Sequence, residues 1–320
     1  MTDSPAYSLP RYLQAKMSVD ARALNRRVWD RFVDSLAEDS SLRLLEVGGG
    51  IGATLQRIVP ALRERGIESL TYTLVDQSDE AIEAASSSLG QFAQGQGFTV
   101  TSRSPRVWSS PECTVTVHLV AEDLYAFANQ CEGELFDAVI GQALFDLLDI
   151  PDALDALRPL LRANGLWYLP IHFDGVTSFE PRFDLDLDAQ IERLYHESMS
   201  APEEGGRAGA HTGRRLLSQL RVAGETLLAA GGSDWVVHPR ANDYPNDEAY
   251  FLHQILHFVE TELDGHPELS QQDFRDWLAH RRQQIDDGEL IYIAHQLDVL
   301  ARTPDGREGG YPLKSGASST

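Results

Sequence analysis

The stretch Leu42-Arg43-Leu44-Leu45-Glu46-Val47-Gly48-Gly49-Gly50-Ile51-Gly52 joins a short apolar run to a cluster of glycines. An apolar run of this length, stopped by glycine, predicts a buried strand. Glycines let the chain bend sharply and let a ligand touch main-chain atoms. Gly52 to Arg65 then has helical spacing, with Leu55, Ile58, Val59 and Leu62 on one side. Pro60 is expected to kink or restart that helix, and Gly66 to end it. A strand, a glycine turn and a helix in that order place a ligand at the carboxyl edge of a doubly wound sheet.

The pattern repeats outward from the turn. Leu70–Val75 predicts a second strand ending at Asp76, and Ser78 caps a helix with Asp79 and Glu80 in its first turn. Val115–Val120, Phe136–Ile140 and Leu166–Phe173 predict three more strands, with a helix over Pro151–Leu161. Later segments predict helices over Asp188–Met199 and Thr212–Ala223, and strands around Glu225–Ala229 and Asp234–His238. Two amphipathic helices follow, one from Phe251 to Leu263 and one starting at Ser270, then a last strand over Glu289–Val299. Ahead of all this, Tyr12, Leu13, Met17, Ala21, Leu24, Val28 and Phe32 share helical spacing. Ala201–Ala210 predicts a mobile loop, and residues 1–10 and 303–320 predict frayed tails.

Strand–helix alternation on this scale predicts a mostly parallel sheet covered on both faces. A chain of 320 residues suits one large α/β domain with insertions. The boundaries are an N-terminal tail and cap helix over 1–40, a sheet domain over 41–302, and a flexible tail over 303–320. Helical insertions fall at about 174–211 and 239–288. They predict a lid over a small ligand; a homodimer interface built from the same apolar faces is the alternative.

The net charge of −22 opposes a nucleic-acid partner, since phosphate binding needs a basic surface. Arginines do cluster at Arg22, Arg26, Arg27 and Arg31, and the only lysines are Lys16 and Lys314. An acidic, lysine-poor surface fits either a high-salt cytoplasm or a GC-rich genome. No apolar run is long enough to span a bilayer, and the N-terminus lacks a signal-peptide pattern. Two cysteines, Cys113 and Cys131, are too few for a disulfide framework, so a reducing cytoplasm is expected.

The glycine turn and Asp76 by themselves fit two cofactors. Gly48, Gly50 and Ala53 satisfy the dinucleotide pattern G-x-G-x-x-G/A, with an acidic residue after the second strand. Glu46 opposes that reading, because its carboxylate would face a pyrophosphate with like charge. S-adenosylmethionine carries an ammonium and a sulfonium instead, and an acid there favours it.

With these features the chain resembles the class I S-adenosylmethionine-dependent methyltransferases, clearly over Leu42–Phe173 and more loosely to Val299. The family's first motif is an acid followed by G-x-G-x-G, here Glu46 with Gly48, Gly49, Gly50 and Gly52. The resemblance implies that Glu46 holds the methionine amino group, directly or through water, and that Asp76, followed by Gln77, grips the ribose. It implies that Glu122, Asp123 and Leu124 meet the adenine, with Asp123 accepting from the exocyclic amine and Leu124 packing on the ring. Phe136–Gln142 resembles the fourth-strand motif, and Leu157–Gly165 the lead into the fifth strand. The helix that stops at Gly224, the strand after it and the final strand Leu290–Val299 resemble the family's closing antiparallel hairpin. The implied fold is a seven-stranded, mostly parallel sheet with an antiparallel last strand, and the implied activity is methyl transfer by direct displacement. An NAD-dependent oxidoreductase, or a non-catalytic S-adenosylmethionine-binding protein, is the alternative.

Family members that methylate DNA bases or protein amides carry an Asn/Asp-Pro-Pro-aromatic turn after the fourth strand. Here that turn reads Gly141-Gln142-Ala143-Leu144, so a small-molecule acceptor is expected. His172, near the end of the fifth strand, is the candidate general base, against plain packing. Gln142 and Asp146 are placed to reach cofactor or acceptor. Tyr12, Lys16, His196, Tyr250 and His253 are candidate pocket residues. His253 and His257 share a helix face, but Gln254 breaks the HExxH pattern, so no metal is expected.

Overall fold

The structure is a computed structural model that describes residues 7–36, 40–131, 133–200 and 209–305. Most of the expected mobile loop, residues 201–208, and of the expected tails, including Lys314, lies outside the described residues.

The chain opens with α1 (Leu9–Ala23) and α2 (Arg26–Leu36), then alternates β1 (Ser41–Val47), α3 (Ala53–Glu64), β2 (Ser69–Asp76) and α4 (Asp79–Gly95). A hairpin, β3 (Thr99–Arg103) and β4 (Arg106–Ser109), leads into β5 (Thr114–Ala121). Alternation resumes with α5 (Leu124–Gln130), β6 (Phe136–Ile140), α6 (Ile150–Leu157) and the long β7 (Leu161–Glu180). The C-terminal part runs α7 (Leu185–Ser200), α8 (Thr212–Val222), β8 (Thr226–Gly232), β9 (Trp235–Val237), α9 (Glu248–Leu263), α10 (Gln271–Asp286) and β10 (Ile291–Arg302).

The described sheet has ten strands, in the order β3-β4-β5-β2-β1-β6-β7-β10-β8, with β9 also on β10. This corrects the expected seven. The centre, β5-β2-β1-β6-β7, is parallel, and β10 is antiparallel to β7, β8 and β9. The hairpin β3–β4 escapes the sequence pattern because its strands are short and sit at an edge, where Trp108 is fully buried and most other described side chains are not. Strand β9 is three residues long and pairs through Trp235, Val236 and Val237.

Three further expectations are corrected. The N-terminal helix is two helices, broken at Leu24–Asn25. Asn25 causes the break: its side-chain oxygen accepts from the Val28 N–H at 3.2 Å, which is an N-cap bond. Helix α3 runs through Pro60 without restarting, because Leu55, Ile58, Val59 and Leu62 are all buried and outweigh one lost backbone bond. The first insertion begins as strand, since β7 continues to Glu180 and stays paired with β10 down to Ile291.

Burial divides the molecule into three cores. Helices α2, α3 and α4 cover one face of the sheet, and α5, α6 and α8 cover the other. Phe32 stacks on Tyr168 with ring centroids 4.3 Å apart, fixing α2 to β7; such a pair adds about 0.5–1.5 kcal/mol beyond its burial. The third core joins α1, α7, α9 and α10 to the ends of β7 and β10 and to β9. Since β7 runs parallel to β1, its extension carries this helical cap past the carboxyl edge of the sheet, the edge that bears the glycine turn.

Candidate functional site

The turn after β1 takes the strained shape that glycine permits. Gly48, Gly50 and Gly52 have φ of +63°, +51° and +78°. All three also lie close against side chains; a Cβ on Gly52 would lie 2.9 Å from Leu89 Cδ1. A Cβ on Gly48 would lie 2.7 Å from Leu144 Cδ1, and one on Gly50 would lie 2.9 Å from Leu13 Cδ1. Asp76 closes the turn from the side: one carboxylate oxygen accepts from the Gly50 N–H at 2.8 Å and the other from the Ser78 N–H at 2.9 Å. Gln77, next along, is exposed.

Glu46 lies beneath the turn. It is 1% exposed and accepts from the Tyr72 hydroxyl at 2.7 Å. Burial pushes its carboxyl up to about 7, opposed by bonds to Thr54 and Tyr72 and by the charge of Arg57. A carboxyl so placed exerts less repulsion on a pyrophosphate than the sequence suggests. From Glu46 a polar chain runs to the cap. Arg57, beside it, donates to Thr54 and Gln142; Gln142 Nε2 donates to Asp20 at 2.8 Å; and Asp20, on α1, also holds Lys16 at 3.2 Å and Trp235 Nε1 at 2.9 Å. Asp20, Arg57 and Trp235 carry no motif, and sequence reasoning passed them over as site residues.

At the neighbouring strand end, Asp123 is exposed and caps α5, accepting from the Tyr125 and Ala126 N–H groups at 2.9 and 3.1 Å. Leu124 is half-buried beside it, and Glu122 accepts from Gln130 at 2.6 Å. The backbone N–H of Glu122 donates to the Asp76 carbonyl at 3.0 Å, so the two acidic strand ends are directly joined.

A cavity of about 360 Å³ opens between this edge and the cap, within the usual range of small-molecule sites. Ala143, Asp146 and Leu147 line it from the turn after β6, Ile171, Phe173 and Thr177 from β7. Tyr12, Tyr195, Trp235, Phe258 and Glu262 come from the cap, and Tyr292 and Gln296 from β10. The cavity adjoins the glycine turn by single-residue steps. Tyr12 lines it while Leu13 rests on Gly50; Ala143 lines it while Leu144 rests on Gly48.

Asp146 is the acid that the sheet itself supplies to the cavity. One oxygen accepts from the Phe173 N–H at 3.2 Å. Burial raises its carboxyl to about 7, opposed by the Thr212 hydroxyl, the Phe173 N–H and the charge of Lys16. The Thr212 hydroxyl also serves the Gly209 carbonyl at 2.8 Å, so its one proton is shared.

His172 is fully buried, with its Nδ1 3.2 Å from the Leu169 carbonyl and its Nε2 accepting from the Phe145 N–H at 3.3 Å. A proton on Nδ1 satisfies both bonds with a neutral ring, and burial lowers its pKa to about 3. No lone pair is left for an acceptor, which corrects the expectation of a general base. Instead His172 fixes the backbone of the turn that carries Asp146.

The other expected pocket residues divide. Tyr12 lines the cavity; Lys16 lies just outside it, against the Trp235 ring. His196 packs on Phe173 with ring centroids 5.6 Å apart. Tyr250 sits under the Arg11 guanidinium, 3.8 Å from the ring centroid, and His253 pairs with Asp286 at 3.4 Å. Both therefore face away, because α9 turns Ile255, Phe258 and Glu262 to the cavity instead. Among the described residues no group of three acids, histidines or cysteines is placed to hold a metal, and no helix is long and apolar enough to cross a membrane.

No protein-family profile and no curated protein matches the chain. Solved structures do resemble it in outline. One is an S-adenosylmethionine-dependent methyltransferase from Thiobacillus denitrificans in complex with S-adenosyl-L-homocysteine, at 15% identity, covering 92% of this chain and 99% of that one with a TM-score of 0.44. Another, from Geobacter sulfurreducens in complex with the same molecule, has 12% identity, the same coverages and a TM-score of 0.45.

Proposed function

We propose that the chain binds S-adenosylmethionine across the Gly48–Gly52 turn and passes its methyl group to a small molecule held in the adjoining cavity. The observation that carries this reading is the place of β10. A dinucleotide-binding sheet in its usual order sets its sixth parallel strand directly beside the fifth. Here the next strand of that direction beyond β7 in the sheet, β8, stands one place further out, because antiparallel β10 is inserted between β7 and β8. That closing arrangement is the one the methyltransferase resemblance implies.

The residues present suit the cofactor. Three left-handed glycines make a cradle that a Cβ would obstruct, and Asp76 brings a carboxylate to its rim. Backbone at Gly48–Gly52 would meet the methionine end, Asp76 and Gln77 the ribose, and Asp123 and Leu124 the adenine. Glu46, held by Tyr72, would support the turn from behind, and Gln142 links the turn after β6 to Asp20 on α1. The cofactor supplies an activated methyl on a cationic sulfur; the protein's part is alignment and exclusion of water. Tyr12, Ala143 and Asp146 would bring the acceptor to the turn, and Asp146 is the residue placed to take an acceptor proton.

Calorimetric titration with S-adenosylhomocysteine and with NAD tests the reading. Binding of the first and silence with the second is expected. Heat with NAD alone would replace the proposal with an oxidoreductase, to which the Gly48, Gly50 and Ala53 spacing lends itself. Release of S-adenosylhomocysteine from S-adenosylmethionine in the presence of acceptor separates an enzyme from a mere binding protein.

A further inference from the structure

The charges around the cavity have one sign. Among the described residues its ionisable lining, tyrosines aside, is Asp146 and Glu262, with no Lys, Arg or His. The nearby cation, Lys16, is matched by Asp20 at 3.2 Å and lies by the Trp235 ring, outside the lining, with its charge still felt at Asp146. Acceptors bearing a carboxylate or a phosphate are thereby disfavoured.

The walls are aromatic. Tyr12, Phe173, Tyr195, Trp235, Phe258 and Tyr292 all contribute to the lining. Aromatic faces attract a cation, more strongly as water is excluded. A carboxylate facing such walls is poorly solvated, and only a cation resolves that cost while also gaining the ring faces. A neutral hydroxyl would bring Asp146 no opposite charge inside the cavity. The two acids differ in depth: Asp146 is half-buried on the turn after β6, whereas Glu262 is exposed on α9.

We infer that the cavity takes a small molecule with a protonated amine on an apolar body, its ammonium bound to the Asp146 carboxylate and ringed by the aromatic wall. Glu262 draws the cation toward the mouth. That this amine is the methyl acceptor rests on the function proposed above; that it binds does not. The ammonium nitrogen has no lone pair. Before it can react, its proton must pass to the Asp146 carboxylate, leaving a neutral amine with its electron pair and a neutral carboxylic acid. The nitrogen would then lie at the turn after β6, two residues from the Leu144 contact with Gly48.

Isothermal titration of the full chain with tyramine, phenethylamine and tryptamine, each against the alcohol that replaces the amine by a hydroxyl, tests this. At least one amine is expected to bind about tenfold or more tighter than its alcohol, as a charged hydrogen bond requires. Asp146→Asn should erase that preference, and Glu262→Gln should slow association while leaving the preference in place. Thermal melting and S-adenosylhomocysteine titration of each variant confirm that it is folded. Equal binding of amine and alcohol, a preference that survives Asp146→Asn, or no binding by any member of the panel would overturn the inference. Amine binding without S-adenosylhomocysteine binding would instead refute the methyltransferase reading and leave the amine site standing.

Discussion

The Asp298 carboxylate, fully buried on β10, accepts from the Ile171 N–H at 2.8 Å and holds Ile171 at φ +59° in the middle of β7. A β-branched residue in that conformation is a strained outlier that persists only where its surroundings enforce it. The second oxygen of Asp298 accepts from the Asn25 N–H at 2.7 Å, at the break between α1 and α2. One carboxylate thus fixes a cavity wall, since Ile171 lines it, and the hinge of the helix that rests on Gly50.

Asp298→Ala would leave two backbone N–H groups without their acceptor. Each orphaned donor costs about 1–3 kcal/mol, so the melting temperature should drop by several degrees. Asp298→Asn retains one acceptor oxygen and should lie between wild type and alanine. A melting temperature unmoved by Asp298→Ala would show that the bond is not maintained in solution.

Gly50→Ala meets two obstacles at once, a φ of +51° and a Cβ 2.9 Å from Leu13 Cδ1. Adding Leu13→Ala removes the clash and leaves the strain. The single variant should lose most binding of S-adenosylhomocysteine, and the double variant should recover part of it. Full recovery would mean that the clash alone matters; none would assign the whole effect to the turn's conformation.

Asp76→Ala should weaken S-adenosylhomocysteine binding by about ten- to a hundredfold. Hydrogen bonds to a charged group contribute about 1.5–3 kcal/mol, and a tenfold change is about 1.4 kcal/mol. The Gly50 and Ser78 N–H groups also lose their partner, so the turn itself loosens. Unaltered affinity by calorimetry would remove Asp76 from the cofactor's contacts.

The sheet was legible wherever buried strands end in punctuation. Val47 before glycine and Val75 before Asp76 mark both strand ends within a residue or so. The cap was not legible in the same way. Ile255, Phe258 and Glu262 reach the cavity and Tyr250 does not, yet both sets suit an amphipathic helix; which side faces inward is set by how α9 meets α1 and α7. His172 misled for a similar reason. Its position at a strand end is right for catalysis, but its ring is held between the Leu169 carbonyl of its own strand and the Phe145 N–H, which only the turn after β6 brings to it. Asn25 was legible in principle, standing three residues before Val28, but the apolar periodicity ran across it.

Glu46 makes the last prediction. Burial raises its carboxyl from 4.5 to about 7 in the folded chain. Below pH 4.5 it is protonated in both states and has no electrostatic penalty. As pH rises toward 7 the unfolded chain gives up this proton before the folded one, so stability falls across that window, by about 3 kcal/mol for this shift. Asp146 and Glu225, also raised to about 7 by burial, act in the same direction. Glu248 acts oppositely: burial pushes it up, but Arg22 at 2.6 Å outweighs that, and its window lies below pH 4.5. Wild type should therefore unfold at lower denaturant at pH 8 than at pH 5, and Glu46→Gln should shrink that difference, since glutamine does not titrate and still accepts from the Tyr72 hydroxyl. The same variant tests where Glu46 acts. A carboxyl that supports the turn from beneath can become an amide with little change in S-adenosylhomocysteine affinity, whereas one that grips the methionine ammonium cannot. A tenfold loss of affinity with an unchanged pH dependence of stability would place Glu46 in the cofactor's first contacts and reverse the assignment made here.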